Sequence, residues 1–166
     1  AYATRRALAE RGVAARFVDF RPGQLTKKYE RTVPEAQRAA HEAFVEAHLP
    51  QTERITRHPG FERISAAAPA DVYVTGSDAV FRVSTREKRP DYRFPNPYWL
   101  VGAVGPEGRA PLRVAFAPSA MGARFSVMSA EDRAGMRAAL EAMDHVSARD
   151  AWTAEQIASL GYAGAT

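Results

Sequence analysis

The run Asp71-Val-Tyr-Val-Thr-Gly-Ser-Asp78 sets the frame for the whole chain. Residues 72–74 have strand character, and the sequence then switches abruptly to Gly76, Ser77 and Asp78. In α/β proteins a buried strand ending in glycine and short polar residues brings backbone N–H groups and small side chains to a ligand crevice. Two later stretches repeat the pattern. Leu112–Ala117 runs into Pro118-Ser-Ala-Met-Gly122, and Asp144–Ser147 runs into Ala148, Arg149 and Asp150. Three strand ends with polar tips suggest one shared site.

The segments between these strands are helical in pattern. Ala1–Arg11 reads as a helix with Ala7 and Leu8 inward and Gly12 as its stop. Ala15–Phe20 alternates like a strand. Arg21-Pro22-Gly23 is a turn, and the polar stretch from there to Thr32 is expected to be irregular. Pro34 opens a helix whose Ala36, Ala39, Ala40, Ala43, Phe44 and Ala47 follow an i, i+3, i+4 face. Gln51–Thr56 fits a short extended piece, His58-Pro-Gly60 a turn, and Phe61–Ala68 fits either a helix or a strand. Ser129-x-x-Asp132 resembles a capping box before a helix with Met136, Ala139, Leu140 and Met143 on its inner face. Asp150 is placed to cap a last helix, with Ala154, Ile157, Ala158 and Gly161 on one side and Leu160-Gly161 at its end. Tyr162–Thr166 looks like the approach to a further strand. Such alternation predicts an α/β fold with a mainly parallel sheet and helices on both faces.

Bulk properties remove several classes of function. The 166 residues, 46% hydrophobic and 25% charged, suffice for one domain with a full core, or for one domain of a larger protein. There is no Cys, which excludes disulfides, thiolate zinc sites and Cys nucleophiles. No apolar run approaches the roughly 20 residues that span a bilayer. The net charge is +4, but Arg makes up 20 of the 23 basic residues and Ala is frequent, a pattern of GC-rich genomes rather than of polyanion binders. The densest basic cluster comprises Arg82, Arg86, Lys88, Arg89 and Arg93, interrupted by Glu87 and Asp91. It reads as a solvated loop, so no nucleic-acid partner is expected. The 84–111 connection is too long to be idle, and Tyr98 and Trp99 within it argue for packing. His41 and His48, seven residues apart on one helix, lie too far apart to share a metal ion, and no metal or cofactor is expected. No dinucleotide fingerprint, P-loop or nucleophile elbow occurs. His145, inside a strand, is expected to be buried for structural reasons.

In a parallel sheet the C-terminal strand edges converge. That would gather Gly76, Ser77 and Asp78 from the first strand, Ser119 and Gly122 from the second and Arg149 from the third. Glycine lets a ligand approach the backbone. Ser77 and Ser119 can donate to hydroxyls or anions, Asp78 can accept from hydroxyls or act as a base, and Arg149 can clamp a carboxylate or phosphate. Each has a plainer reading. Gly76–Asp78 fits a simple turn, Ser119 a loop cap, and Arg149-Asp150 a helix-start pair.

The ordered motifs resemble the polysaccharide pyruvyl transferase family. Asp71–Phe81 is similar to its "D-x-hydrophobic-x-x-G-S-D-Q-x-W" stretch, and Asn96–Leu100 to the aromatic segment that follows. Val114–Gly122 resembles "Y-A-x-S-x-G", and Val146–Asp150 with Leu160-Gly161 resembles "S-x-R-E" with its closing "L-x-x-G". The resemblance spans nearly the whole chain. It implies a transferase that moves a pyruvyl group from phosphoenolpyruvate to a sugar of a bacterial cell-envelope glycan in exopolysaccharide biosynthesis. It also implies a Rossmann-like lobe of a GT-B-like architecture and a cytoplasmic location, and leaves a homo-oligomer open. On this view residues 1–166 are a single N-terminal lobe lacking its first strand and the second lobe, where the family's catalytic His and basic residues belong. The isolated chain is then expected to be inactive. Gly76, Ser77, Asp78, Ser119, Gly122 and Arg149 carry over as substrate-binding residues, with no catalytic residue assigned. Ala79 in place of Gln and Phe81 in place of Trp depart from the pattern and put the acceptor in doubt. A nucleotide-sugar glycosyltransferase lobe and a non-catalytic sugar-binding module remain the competing readings.

Overall fold

The computed structural model describes residues 1–85 and 92–166. Arg86, Lys88 and Arg89 of the basic cluster, with Glu87 and Asp91, lie outside them. The chain divides into two compact units, residues 1–56 and 57–166.

The first unit holds α1 (Tyr2–Ala9), α2 (Gly23–Thr32) and α3 (Glu35–His48). Gly12 adopts φ +74° just past α1, as a helix stop requires. The strand expected at 15–20 and the extended piece at 51–56 meet in two parallel bridges, Phe17 to Gln51 and Phe20 to Ile55. The stretch expected to be irregular is instead α2. Pro22 supplies the extended residue that starts it, and Gln24, Lys27, Lys28, Glu30 and Arg31 favour helix without marking an apolar stripe. The inward face of α3 also differs from the expected one. Its alanines are exposed, and Val45 is its buried residue. Alanine has too little side chain to commit a helix face. Arg38 helps fix α3 by donating to the carbonyls of Glu30 and Val33.

The second unit holds α4 (His58–Ala67), β1 (Val72–Gly76), β2 (Leu112–Phe116), α5 (Ala130–Glu141), β3 (His145–Val146) and α6 (Ala151–Ser159). Pro59 sits in the first turn of α4, so the ambiguous segment resolves as helix. The strands form a parallel sheet in the order β1-β2-β3, with Val74 opposite Val114 and Ala115 opposite Val146. Ala165 adds a further parallel bridge to Val146, so the last residues do enter strand pairing. This is the expected α/β fold, a small parallel sheet flanked by helices, Rossmann-like in its pairing.

The period of two in a strand assigns alternate residues to opposite faces. Ala115 and Val146 are fully buried against a core of Phe81, Trp99, Phe125, Met136, Leu140 and Ile157. Phe81 stacks on Trp99 with ring centroids 4.4 Å apart and planes at 9°, while Phe94 meets Trp99 edge-on at 5.4 Å. Each such buried aromatic contributes about 1.5–3 kcal/mol by leaving water. The α5 face reads as expected, with Met136, Ala139, Leu140 and Met143 all buried. In α6 and at its C-cap the buried positions are Thr153, Ile157 and Leu160, a set that shares only Ile157 with the expected face. On the other face of the sheet Val72, Val74, Leu112 and Phe116 are exposed. His145, paired with Val114, is exposed as well, contrary to expectation, because strand alternation puts Val146 on the core face and His145 on the opposite one.

Candidate functional site

The C-terminal end of β1 is built on a close backbone approach. A Cβ on Gly76 would lie 2.0 Å from the Phe116 carbonyl oxygen, and Gly76 itself has φ +117°. Only glycine satisfies both conditions. The Gly76–Ser77 peptide is cis, and Asp78 adopts φ +67°. Ser77 and Asp78 are both exposed.

Backbone hydrogen bonds then bind the three strand ends together. The Ser119 N–H donates to the Asp78 carbonyl at 2.7 Å, and the Phe81 N–H donates to the Ser119 carbonyl at 3.2 Å. The Arg149 N–H donates to the Pro118 carbonyl at 3.1 Å. Side chains complete the stitching. The Ala117 N–H donates to Ser147 Oγ at 3.0 Å, and the Ala120 N–H to the buried Thr153 Oγ1 at 2.9 Å. The loops after β1, β2 and β3 thus form one polar rim.

The six predicted residues occupy this rim in different ways. Ser119 Oγ donates to Asp150 Oδ2 at 3.0 Å and accepts from the Met121 N–H at 3.1 Å, so its hydroxyl is engaged in holding the loop. Asp150 caps α6 as expected, its Oδ1 accepting from the Thr153 N–H at 2.7 Å. These bonds from Thr153, then that from Ser119 and the charge of Arg149, hold the Asp150 carboxyl below its ordinary range. Gly122 has φ +74°, and a Cβ there would meet open space, so the backbone conformation is what calls for glycine. Arg149 is exposed, and among the described residues its guanidinium donates no hydrogen bond. Gly76, Ser77 and Asp78 stand beside Ser119 through the backbone pairing already given.

Arg82, Tyr92, Met121 and Tyr98 meet at the rim in a way that no spacing in the sequence announces. Arg82 lies over the Tyr92 ring at 4.5 Å and points Nη1 at Met121 Sδ, 3.8 Å away. Burial, and then the charges of Tyr92 and Asp78, push the Tyr98 hydroxyl up from its ordinary pKa. The 84–111 connection is too long to be idle, but no spacing pairs its members with Asp78 or Met121. Of the two departures from the family pattern, Phe81 is fully buried in the aromatic core, so that change concerns packing. A separate concavity of about 460 Å³ in the first unit is lined by Arg21, Glu42, Glu46 and Arg54 among others. Its arginines are already paired with Asp19, at 2.7 and 2.9 Å.

A parallel sheet whose strand-end loops are joined into one polar rim is an α/β domain of the Rossmann kind. The family within that class is fixed by sequence: residues 1–164 match the family described as Polysaccharide pyruvyl transferase. The chain belongs to this family, whose activity is pyruvyl transfer to a polysaccharide. Comparison with curated proteins and with solved structures gave no significant match. Among the described residues no helix is long and apolar enough to cross a membrane.

Proposed function

We propose that the rim formed by the loops after β1, β2 and β3 is one wall of the site at which phosphoenolpyruvate meets a sugar hydroxyl of a glycan. The observation that carries this is the exposed guanidinium of Arg149, which donates no hydrogen bond among the described residues, on a rim joined by the bonds among Asp78, Pro118, Ser119 and Asp150. A donor with a carboxylate and a phosphate needs a positioned cation, and a rim tied by hydrogen bonds is suited to present one. Arg149 is assigned to the donor anion. Ser77 and Asp78, exposed on the neighbouring loop, are assigned to the acceptor hydroxyls. Ser119 and the two glycines shape the wall.

The chemistry closes as follows. Two sugar hydroxyl oxygens form bonds to C2 of phosphoenolpyruvate, and the C2–O bond to phosphate breaks. One hydroxyl proton goes to C3, which becomes a methyl group, and the other leaves with inorganic phosphate. Asp78 is suited to accept a hydroxyl proton or orient the hydroxyl. In this reading the 166 residues serve as an N-terminal lobe, and a second lobe supplies the catalytic His and further basic groups. The protein then works in the cytoplasm, where phosphoenolpyruvate is available.

The test is calorimetric titration of phosphoenolpyruvate into the wild-type protein and into Arg149→Gln. Loss of a charge-assisted contact is expected to weaken binding by about tenfold or more. Unchanged affinity in the variant would remove Arg149 from the donor site.

A further inference from the structure

We propose that Trp152 is the stacking platform for a pyranose ring of the acceptor glycan, at the edge of the rim beside Arg149; this rests on the functional reading above. The chain has two tryptophans. Trp99 is 1% exposed in the core, whereas Trp152, in the first turn of α6, is 37% exposed.

The buried side of α6 does not account for the exposed third of Trp152. The buried stripe of that helix is Thr153, Ile157 and Leu160, and Trp152 lies off it. Nor does its polar group need solvent. The indole Nε1–H donates to the Ala123 carbonyl at 3.2 Å, which fixes the ring against the loop after β2 and leaves apolar surface open. That loop adds Met121, 62% exposed, just before Gly122 and Ala123. A large aromatic, just over a third exposed and held by its N–H, therefore stands two residues past the Asp150 cap and three past Arg149.

A pyranose ring has an apolar C–H face and a perimeter of hydroxyls. An aromatic face takes the first without a hydrogen bond, and neighbouring polar side chains take the second. The rim has both kinds of group: the indole of Trp152, and the side chains of Arg149, Asp78 and Ser77. Because the Trp152 ring is anchored by its N–H, little side-chain freedom is lost when a sugar settles on it. Stacking alone would also suit a nucleobase, so the experiment separates the two.

Acrylamide quenching of tryptophan fluorescence reads Trp152 against a buried Trp99 background. Methyl β-D-galactopyranoside is expected to protect the wild-type protein from quenching, and Trp152→Phe, with its reporter gone, to show no such change. In calorimetry Trp152→Ala is expected to weaken binding of the same glycoside by about tenfold, and Trp152→Phe, which keeps a ring, by less than about threefold. Protection by uridine with none by the galactoside, glucoside or mannoside overturns the assignment. So does the absence of protection by any pyranoside in a protein that binds phosphoenolpyruvate, and in that case the donor reading stands alone. Failure to bind either phosphoenolpyruvate or any pyranoside overturns both.

Discussion

Ser119 Oγ donates to Asp150 Oδ2 across 3.0 Å, while the other oxygen of that carboxylate accepts the Thr153 N–H at 2.7 Å. One side chain therefore both starts α6 and pins the loop after β2. The geometry of the rim and the stability of the helix are coupled through it.

That coupling is measurable. Ser119→Ala removes a bond to Asp150 and one from the Met121 N–H, and is expected to cost about 1 kcal/mol, or a few degrees in Tm. Asp150→Ala is expected to lower Tm as well, since it also deletes the cap. The double variant should lose less than the sum of the two, because each single change already breaks the shared bond. Strict additivity in thermal melts would show that the Ser119–Asp150 contact carries no energy.

Gly76→Ala meets two independent obstacles: φ +117°, and a Cβ lying 2.0 Å from the Phe116 carbonyl oxygen. Backbone strain and overpacking together predict a loss on the order of 3 kcal/mol. Gly122→Ala, with a similar φ sign but open space around the Cβ, is expected to lose less, about 1 kcal/mol. Chemical denaturation of the two variants checks the ranking, and equal losses would mean that the contact with Phe116 is immaterial.

His58 gives a pH dependence of defined sign. Burial lowers its pKa from 6.5, and Glu62, whose Oε1 is 3.5 Å from Nε2, only partly offsets this. The folded protein thus favours the neutral imidazole. Below pH 6.5 the unfolded chain takes up a proton first, so stability is full above that pH and falls as pH drops toward the folded-state pKa. Tm measured from pH 7 to about 5 should fall more steeply for the wild type than for His58→Gln, the gap levelling once the folded imidazole is itself protonated. Parallel curves would exclude a contribution from His58.

The strand ends were legible because the sequence changes character within one or two residues, from Val72–Val74 to Gly76–Asp78 and from Val114–Phe116 to Pro118–Gly122. The caps at Ser129 and Asp150 were legible because a short oxygen side chain before a helical pattern has one dominant use, and both accept the third following N–H. Helix α2 was hidden because Lys27, Lys28, Glu30 and Arg31 describe solvation better than they describe a backbone state. The inward face of α3 is not legible from its alanines, because alanine marks a face without filling it. Arg82, Tyr92 and Met121 meet only through space, across the longest connection in the chain, where no period operates. Ser119 is legible as a rim residue, but its engagement with Asp150 depends on the distance between two loops, which sequence does not encode locally.

The exposed side of the sheet bears on how the polypeptide behaves in a tube. Val74 is 57% and Phe116 61% exposed, with Val72 and Leu112 beside them in register. An exposed apolar strand surface of this kind is prone to associate with itself and with hydrophobic dyes. The net charge of +4 supplies only modest repulsion to oppose such association. Concentration, salt and shelf time thereby become experimental variables, and any binding isotherm is best read alongside the light scattered by the same sample.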